Sequence, residues 1–155
     1  MGEIIAKGPG VMVGYLNKPK ETAETLKDGW LYTGDLGRFD EDGELYIVGR
    51  KKDLIIKGGE NIDPGVSENL LYKHPAVLEA AVIAIPDTKY GEEVAAAVVL
   101  KPGQSATEEE LILFLRNAIH HFVAPKRVFL LEALPKTGTG KILKREIREI
   151  VKRKL

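Results

Sequence analysis

The chain has 155 residues, room for one ordinary domain or for a small domain with part of another. Lys plus Arg and Asp plus Glu both total 23, and this zero net charge argues against a dedicated nucleic-acid binder, which carries a basic excess. Without a single Cys there is no disulfide, thiolate metal site or Cys nucleophile, and His74, His120 and His121 do not form a ligand set.

Residues 1–49 read as strands and turns. Glu3–Ala6 is a short strand, Gly8-Pro9-Gly10 a turn, and Lys18–Lys27 a short helix with Pro19 near its start and Asp28-Gly29 as its stop. Asp40–Gly43 is a hairpin turn leading into a strand at Glu44–Val48. This stretch holds too few apolar residues for a core of its own and reads as the edge of something larger.

From Gly49 the pattern changes. Asp53–Ile56 is a short strand ended by Gly58-Gly59, and Asp63-Pro64 suits the N-cap and first position of a helix running to His74, where Pro75 stops it. Val77–Ile85 and Glu93–Leu100 are nearly continuously apolar, so both are expected to be central strands, joined by a turn at Asp87–Gly91. Thr107 with Glu110 forms a capping box, and Leu111, Phe114, Leu115, Ala118, Ile119 and Phe122 follow at helical spacing up to Pro125. Arg127–Glu132 is a further strand. A glycine-rich loop, Pro135–Lys141, leads into a last helix with Leu143, Ile147, Ile150 and Val151 on one face; its basic residues fit the solvated side of a packed helix.

The expected organisation is a β-rich segment, 1–49, followed by an α+β domain, 50–155, in which helices flank a small mixed sheet. Charge divides at the same place: residues 1–49 carry 5 basic and 9 acidic side chains, a net of −4, and residues 50–155 carry +4. No apolar run is long enough to span a bilayer and the N-terminus lacks a basic-then-apolar signal pattern, so an intracellular, cytoplasmic protein is expected.

Four clusters could carry chemistry, and each has a plain structural reading beside the functional one. In Thr33-Gly34-Asp35 a carboxylate beside Gly can accept the hydroxyls of a ribose, or form an Asx-turn at a strand end. Gly49-Arg50-Lys51-Lys52-Asp53 can bind phosphate or ribose, or be a solvated connector. In Lys57-Gly58-Gly59-Glu60-Asn61 the Gly pair lets backbone approach a ligand, or simply turns the chain. Pro135-Lys136-Thr137-Gly138-Thr139-Gly140-Lys141 looks like a phosphate loop but has Pro135 and Ile142 where the Walker pattern needs Gly and Ser or Thr. It can deliver the Lys141 ammonium to a distant pocket, or be a loop with solvated lysines.

In this order and spacing the clusters resemble the acyl-CoA synthetase branch of the adenylate-forming enzymes, over nearly all of residues 2–150. Gly14-Tyr15, Gly29-Trp30 and Thr33-Gly34-Asp35-Leu36-Gly37 resemble the end of that family's large N-terminal domain, Gly49–Asp53 its hinge, and Gly58-Gly59-Glu60-Asn61-Ile62 the loop that meets CoA. Pro135-Lys136-Thr137 with Gly140-Lys141 resembles the loop carrying the catalytic lysine. The resemblance implies two steps: a carboxylate attacks the α-phosphate of ATP to give acyl-AMP, and the CoA thiol then displaces AMP. It assigns Asp35 to the ribose hydroxyls, Arg50 to the nucleotide, Lys141 to the α-phosphate and the substrate carboxylate, Lys52 to the hinge, and Gly58 and Gly59 to the CoA passage. It implies ATP, CoA and Mg2+ as cofactors, bound mainly through an N-terminal domain upstream of this chain, and a carboxylic acid, leaning to a fatty acid, as substrate. The fragment alone is expected to be inactive, with no nucleic-acid partner and no protein metal site. After Ile62 the sequence departs from the family, with Asp63 and Val66 replacing the usual Tyr and first Glu, while Pro64 and Glu68 remain. An interaction module of the same fold and an enzyme loading a carrier protein are the other readings.

Overall fold

In the computed structural model, which describes residues 1–155, turn chemistry sets the architecture of the first fifty residues. Asp28 and Gly29 both have positive φ, 52° and 77°, the backbone of a two-residue hairpin turn. They join β2 (Leu26–Lys27) to β3 (Trp30–Phe39). The expected helix is correspondingly shorter, α1 (Pro19–Thr25), and Asp28-Gly29 turns a hairpin where it was read as a helix stop. A second hairpin, at Asp40–Gly43, joins β3 to β4 (Leu45–Arg50), with the Asp40 carboxylate accepting from the Asp42 and Glu44 amides. The Glu44 amide is the main cause holding the Asp40 carboxyl below its ordinary range. β1 (Gly2–Ala6) pairs antiparallel with the other edge of β3. Leu36 is the one buried large apolar side chain of this four-stranded unit, while Val13, Leu16, Phe39 and Ile47 lie exposed.

The chain divides into two units, Met1–Lys52 and Asp53–Leu155. The division falls just beyond the Gly49/Arg50 boundary expected from sequence, because Gly49 and Arg50 pair with Leu36 and Asp35 on β3. A single 3-10 turn, Lys51–Asp53, spans the division, where the sequence reading had a strand beginning.

In the second unit β5 (Ile55–Lys57) and β6 (Glu60–Ile62) form a hairpin closed by Gly58-Gly59. Asp63 caps α2 (Pro64–Leu71) by accepting the Gly65 amide at 2.8 Å. β7 (Val77–Asp87) and β8 (Gly91–Leu100) pair along their whole lengths, and β9 (Arg127–Leu130) adds to β8 in parallel. β5 meets β8 at Lys57 and Gly91. The sheet order is therefore β6-β5-β8-β7, with β9 also on β8.

β8 is central, as its composition implied, but β7 is an edge strand. Its continuous apolarity has another cause: both faces of the sheet are covered. Ala80, Val82, Val94, Ala96 and Val98 pack with Leu71 of α2 and with Leu111 and Leu115 of α3 (Glu108–Arg116). Ala81, Ile83, Ala95 and Ala97 pack on the other side with Ile147 and Val151 of α4 (Lys144–Lys152). Side chains of α2 and of its C-cap blunt the exposed edge: Glu68 accepts the Val82 amide at 2.7 Å and Tyr72 donates to the Ala80 carbonyl.

The capping box of α3 is formed in both directions, Glu110 amide to Thr107 hydroxyl and Thr107 amide to Glu110 carboxylate. Such a cap contributes about 1 kcal/mol. The helix nevertheless ends at Arg116 rather than reaching Phe122. Ile119 and Phe122 still pack on the core, but from turns, whereas Ala118 is exposed; His120-His121 lie in the same irregular stretch.

Candidate functional site

The first two clusters meet on β3 and β4. Tyr32 and Leu36 are paired with Ile5 and Glu3, so three residues of β3, Thr33-Gly34-Asp35, face the single Ile4 of β1. The resulting bulge puts Gly34 at φ 73°, open to a glycine and strained for others. Thr33 donates its hydroxyl to the Ile4 carbonyl at 2.7 Å and accepts the Asp35 amide at 3.1 Å. Glu3, which the sequence reading left as an ordinary strand residue, accepts the Gly34 amide with one oxygen and pairs with Lys51 at 2.9 Å with the other. The Lys51 hydrogen bond is the main reason its carboxyl lies below the ordinary range.

Asp35 stands opposite Arg50, and Arg50 Nε lies 3.0 Å from its carboxylate. Thr33, Gly34, Arg50, Lys51 and Lys52 line a cleft of about 290 Å³. A wall of cations with a carboxylate beside it suits a ligand carrying both a phosphate and a diol. Lys52, the expected hinge residue, is exposed in the 3-10 turn.

The third cluster forms the β5–β6 turn. Gly58 and Gly59 have φ of 58° and 88°. A methyl group on Gly58 would lie 3.1 Å from the Tyr90 ring, whereas one on Gly59 would meet nothing within 4 Å. Gly58 therefore packs and Gly59 faces open space. The Gly58 amide donates to the Tyr90 carbonyl at 3.0 Å.

The fourth cluster is an ordered loop. The Thr137 amide donates to the Lys141 carbonyl at 2.8 Å, the Lys141 amide donates to the Thr137 hydroxyl at 3.1 Å, and Gly140 turns at φ 84°. Lys136 pairs with Glu79 on β7. Beyond the loop, Lys144 pairs with Glu68 at 2.7 Å. Lys141 itself is exposed and enters no ion pair.

The two loops of the second unit serve opposite sides of the sheet. Gly58 packs against Tyr90 and Phe122, on the side of α2 and α3. The lysine loop is flanked by Leu134 and Ile142, which pack on the side of α4. The residues flanking the glycine turn and those flanking the lysine loop thus belong to different core layers of one sheet. The second unit also buries Lys57 and Glu93 as a pair, N to O 2.5 Å; Glu93 had been read only as the start of an apolar strand. No group of three or more His, Asp or Glu side chains is placed to hold a metal, and no helix is long and apolar enough to cross a membrane.

Residues 67–141 match the AMP-binding enzyme C-terminal domain. The chain is 53% identical over 148 residues to the long-chain-fatty-acid–CoA ligase of Bacillus subtilis (strain 168), covering 96% of this chain and 26% of that protein. It is 48% identical over 150 residues to the 2-succinylbenzoate–CoA ligase of Bacillus cereus (strain Q1), covering 97% of this chain and 31% of that protein. Among solved structures, o-succinylbenzoate CoA synthetase from Bacillus subtilis, in complex with its acyl-adenylate intermediate, superposes with a TM-score of 0.87 at 39% identity, over 95% of this chain and 30% of that one. The chain thus spans about a quarter to a third of the length of these relatives, and corresponds to their C-terminal part. The chain belongs to the adenylate-forming, AMP-binding enzyme family and carries that family's C-terminal domain.

Proposed function

We propose that this chain works as the C-terminal part of an ATP-dependent acyl-CoA ligase, in which residues 1–49 complete a larger nucleotide-binding domain and residues 50–155 form a mobile lobe. The observation that carries this reading is that the residues flanking the Gly58-Gly59 turn and those flanking the Lys141 loop pack on opposite faces of one small sheet. Two loops seated on different faces suit two successive reactions.

In adenylation, Lys141 supplies an ammonium to the α-phosphate of ATP as charge builds on it and to the attacking carboxylate. At an effective dielectric near 20, a unit charge pair about 4 Å apart gains roughly 4 kcal/mol, enough for about three decades in rate. Asp35 accepts the ribose hydroxyls and Arg50, released from it, meets the nucleotide. The lobe then turns about Lys52, withdrawing Lys141 and presenting Gly58-Gly59 to the CoA arm, whose thiol displaces AMP. The side-chain-free face of Gly59 leaves room for that arm. Mg2+ would travel with the phosphates of ATP; these residues offer it no ligand set. A fatty acid is the favoured substrate, since the B. subtilis relative acts on long-chain fatty acids and matches at 53% identity. A cytoplasmic site of action fits such a ligase.

The test is to assay the full-length gene product with ATP, CoA and a panel of octanoate, palmitate and o-succinylbenzoate. Acid-dependent pyrophosphate release and thioester formation are expected, and neither from residues 1–155 alone. Partner binding without nucleotide chemistry would favour an interaction module, and acyl transfer to a carrier protein but not to CoA would favour a carrier-loading enzyme.

A further inference from the structure

We infer that the buried Lys57–Glu93 pair is a positioning device for the Gly58-Gly59 turn, and so for the thiol-delivering step. The inference rests on the ligase reading given above.

Lys57 is 5% exposed and Glu93 3%, the two charged side chains most deeply buried in the chain. Glu93 is the third residue of β8, and the next six, Val94–Val99, are all buried. Burying two charges is costly, and a pair of this kind is generally no more stabilising than apolar side chains of the same volume. Packing alone therefore gives no reason for it. Its geometry does. The Lys57 ammonium contacts Glu93 at 2.5 Å, donates to the Phe122 carbonyl at 2.9 Å, and lies 4.5 Å from the centre of the Phe122 ring and 5.6 Å from that of Tyr90. Tyr90 and Phe122 meet edge to face at 5.8 Å. A side chain on Gly58 would press on the Tyr90 ring at 3.1 Å and touch the Phe122 ring at 3.9 Å, and the Tyr90 carbonyl takes the Gly58 amide.

One ammonium thus ties three separate segments together beside Gly58: the end of β5, the start of β8 and the irregular stretch after α3. Gly58 and Gly59 contribute no side chain of their own; besides the ammonium, the hairpin is held by the Gly58 amide on the Tyr90 carbonyl and by the Ile56 amide on the Glu92 carboxylate at 2.7 Å. Glu93 fixes the ammonium, and its second oxygen lies 3.9 Å from Lys126, which also pairs with Asp87 at 3.5 Å. An apolar chain at position 57 could fill the space but could not donate to the Phe122 carbonyl.

The experiment uses the full-length gene product, with ATP, CoA and the acid from the panel that it turns over. Lys57→Met/Glu93→Leu replaces the pair by apolar chains of similar volume and leaves no unpaired charge. Its melting temperature and its acid-dependent ATP–pyrophosphate exchange are expected to stay near wild type. Thioester formation from supplied acyl-adenylate should fall about tenfold or more, carried by the KM for CoA, as expected of a misplaced binding loop. Amide exchange at Gly58–Asn61 should quicken. Wild-type thioester kinetics, equal loss of both half-reactions, or unchanged exchange at the turn would each overturn the inference. Should the double variant fail to fold, Glu93→Gln keeps the shape and weakens the hold on Lys57, and the same step-selective loss is expected at about threefold; loss of neither step or of both would be the contrary result. A wild-type protein lacking both half-reactions would remove the ligase reading and this inference with it, whereas a fully active wild type with unaffected variants would remove this inference alone.

Discussion

Asp35 and Arg50 are cross-strand partners, with the guanidinium Nε 3.0 Å from the carboxylate. Both residues are assigned to the nucleotide, yet without one they satisfy each other. Binding therefore exchanges one hydrogen-bonded arrangement for another, and the free site is held open by the pair. Asp35→Ala in the full-length protein should raise the KM for ATP about tenfold or more, the value of a hydrogen bond to a charged group. Arg50→Ala should do likewise, and the double variant should cost less than the two losses combined. Additive losses in a double-mutant cycle would mean that the two residues act on the nucleotide independently of each other.

Lys141 is exposed on an ordered loop and has no partner of its own. Lys141→Ala should leave folding unchanged and lower adenylation by about three decades, while largely sparing thioester formation from supplied acyl-AMP. Separate half-reaction assays decide this; equal loss of the two steps would refute the assignment.

Gly59 has φ 88° and open space where a side chain would project. Gly59→Val should cost about 1–2 kcal/mol in backbone strain and also obstruct the CoA arm. The expected result is loss of thioester formation with adenylation retained, measured by the same pair of assays. Were the KM for CoA unaltered, the turn would not line the passage.

Asp87 accepts the Tyr90 and Lys89 amides at 2.9 Å each, and these bonds, the Tyr90 one foremost, hold its carboxyl below the ordinary range. A carboxylate depressed on folding contributes stability above its unfolded pKa, near 4, and loses it as pH falls through the lower folded value. Asp87→Asn should therefore lower the melting temperature at pH 7, and the difference from wild type should shrink as pH falls below about 4. Thermal melts of both proteins across that range test it; a constant difference would show that the charge is immaterial.

Much of this protein was legible in its sequence because the signals are local. Thr107 and Glu110 specify their cap whatever surrounds them, Asp63-Pro64 starts a helix, and Gly34, Gly58 and Gly140 mark places where backbone takes positive φ. The order of four short clusters was enough to indicate the family. Local pattern also misled where two causes leave the same trace. A strand covered on both faces reads as apolar whether it lies at the centre or, like β7, at an edge guarded by Glu68 and Tyr72. Helical spacing continued to Phe122 because residues packing from a turn need the same apolar character as residues of a helix.

By itself the sequence determined which residues have the chemistry: a carboxylate beside glycine, a run of cations, a glycine pair and a lysine on a glycine-flanked arm. The tertiary structure alone decided how they stand to one another. Asp35 meets Arg50 because a bulge and a hairpin register bring positions fifteen apart face to face, Lys57 meets Glu93 because β5 joins β8, and the residues flanking the glycine turn and the lysine loop pack on opposite faces of one sheet. Such relationships depend on strand pairing between distant segments, and pairing is fixed by the burial of both faces at once, which no single stretch of the chain encodes.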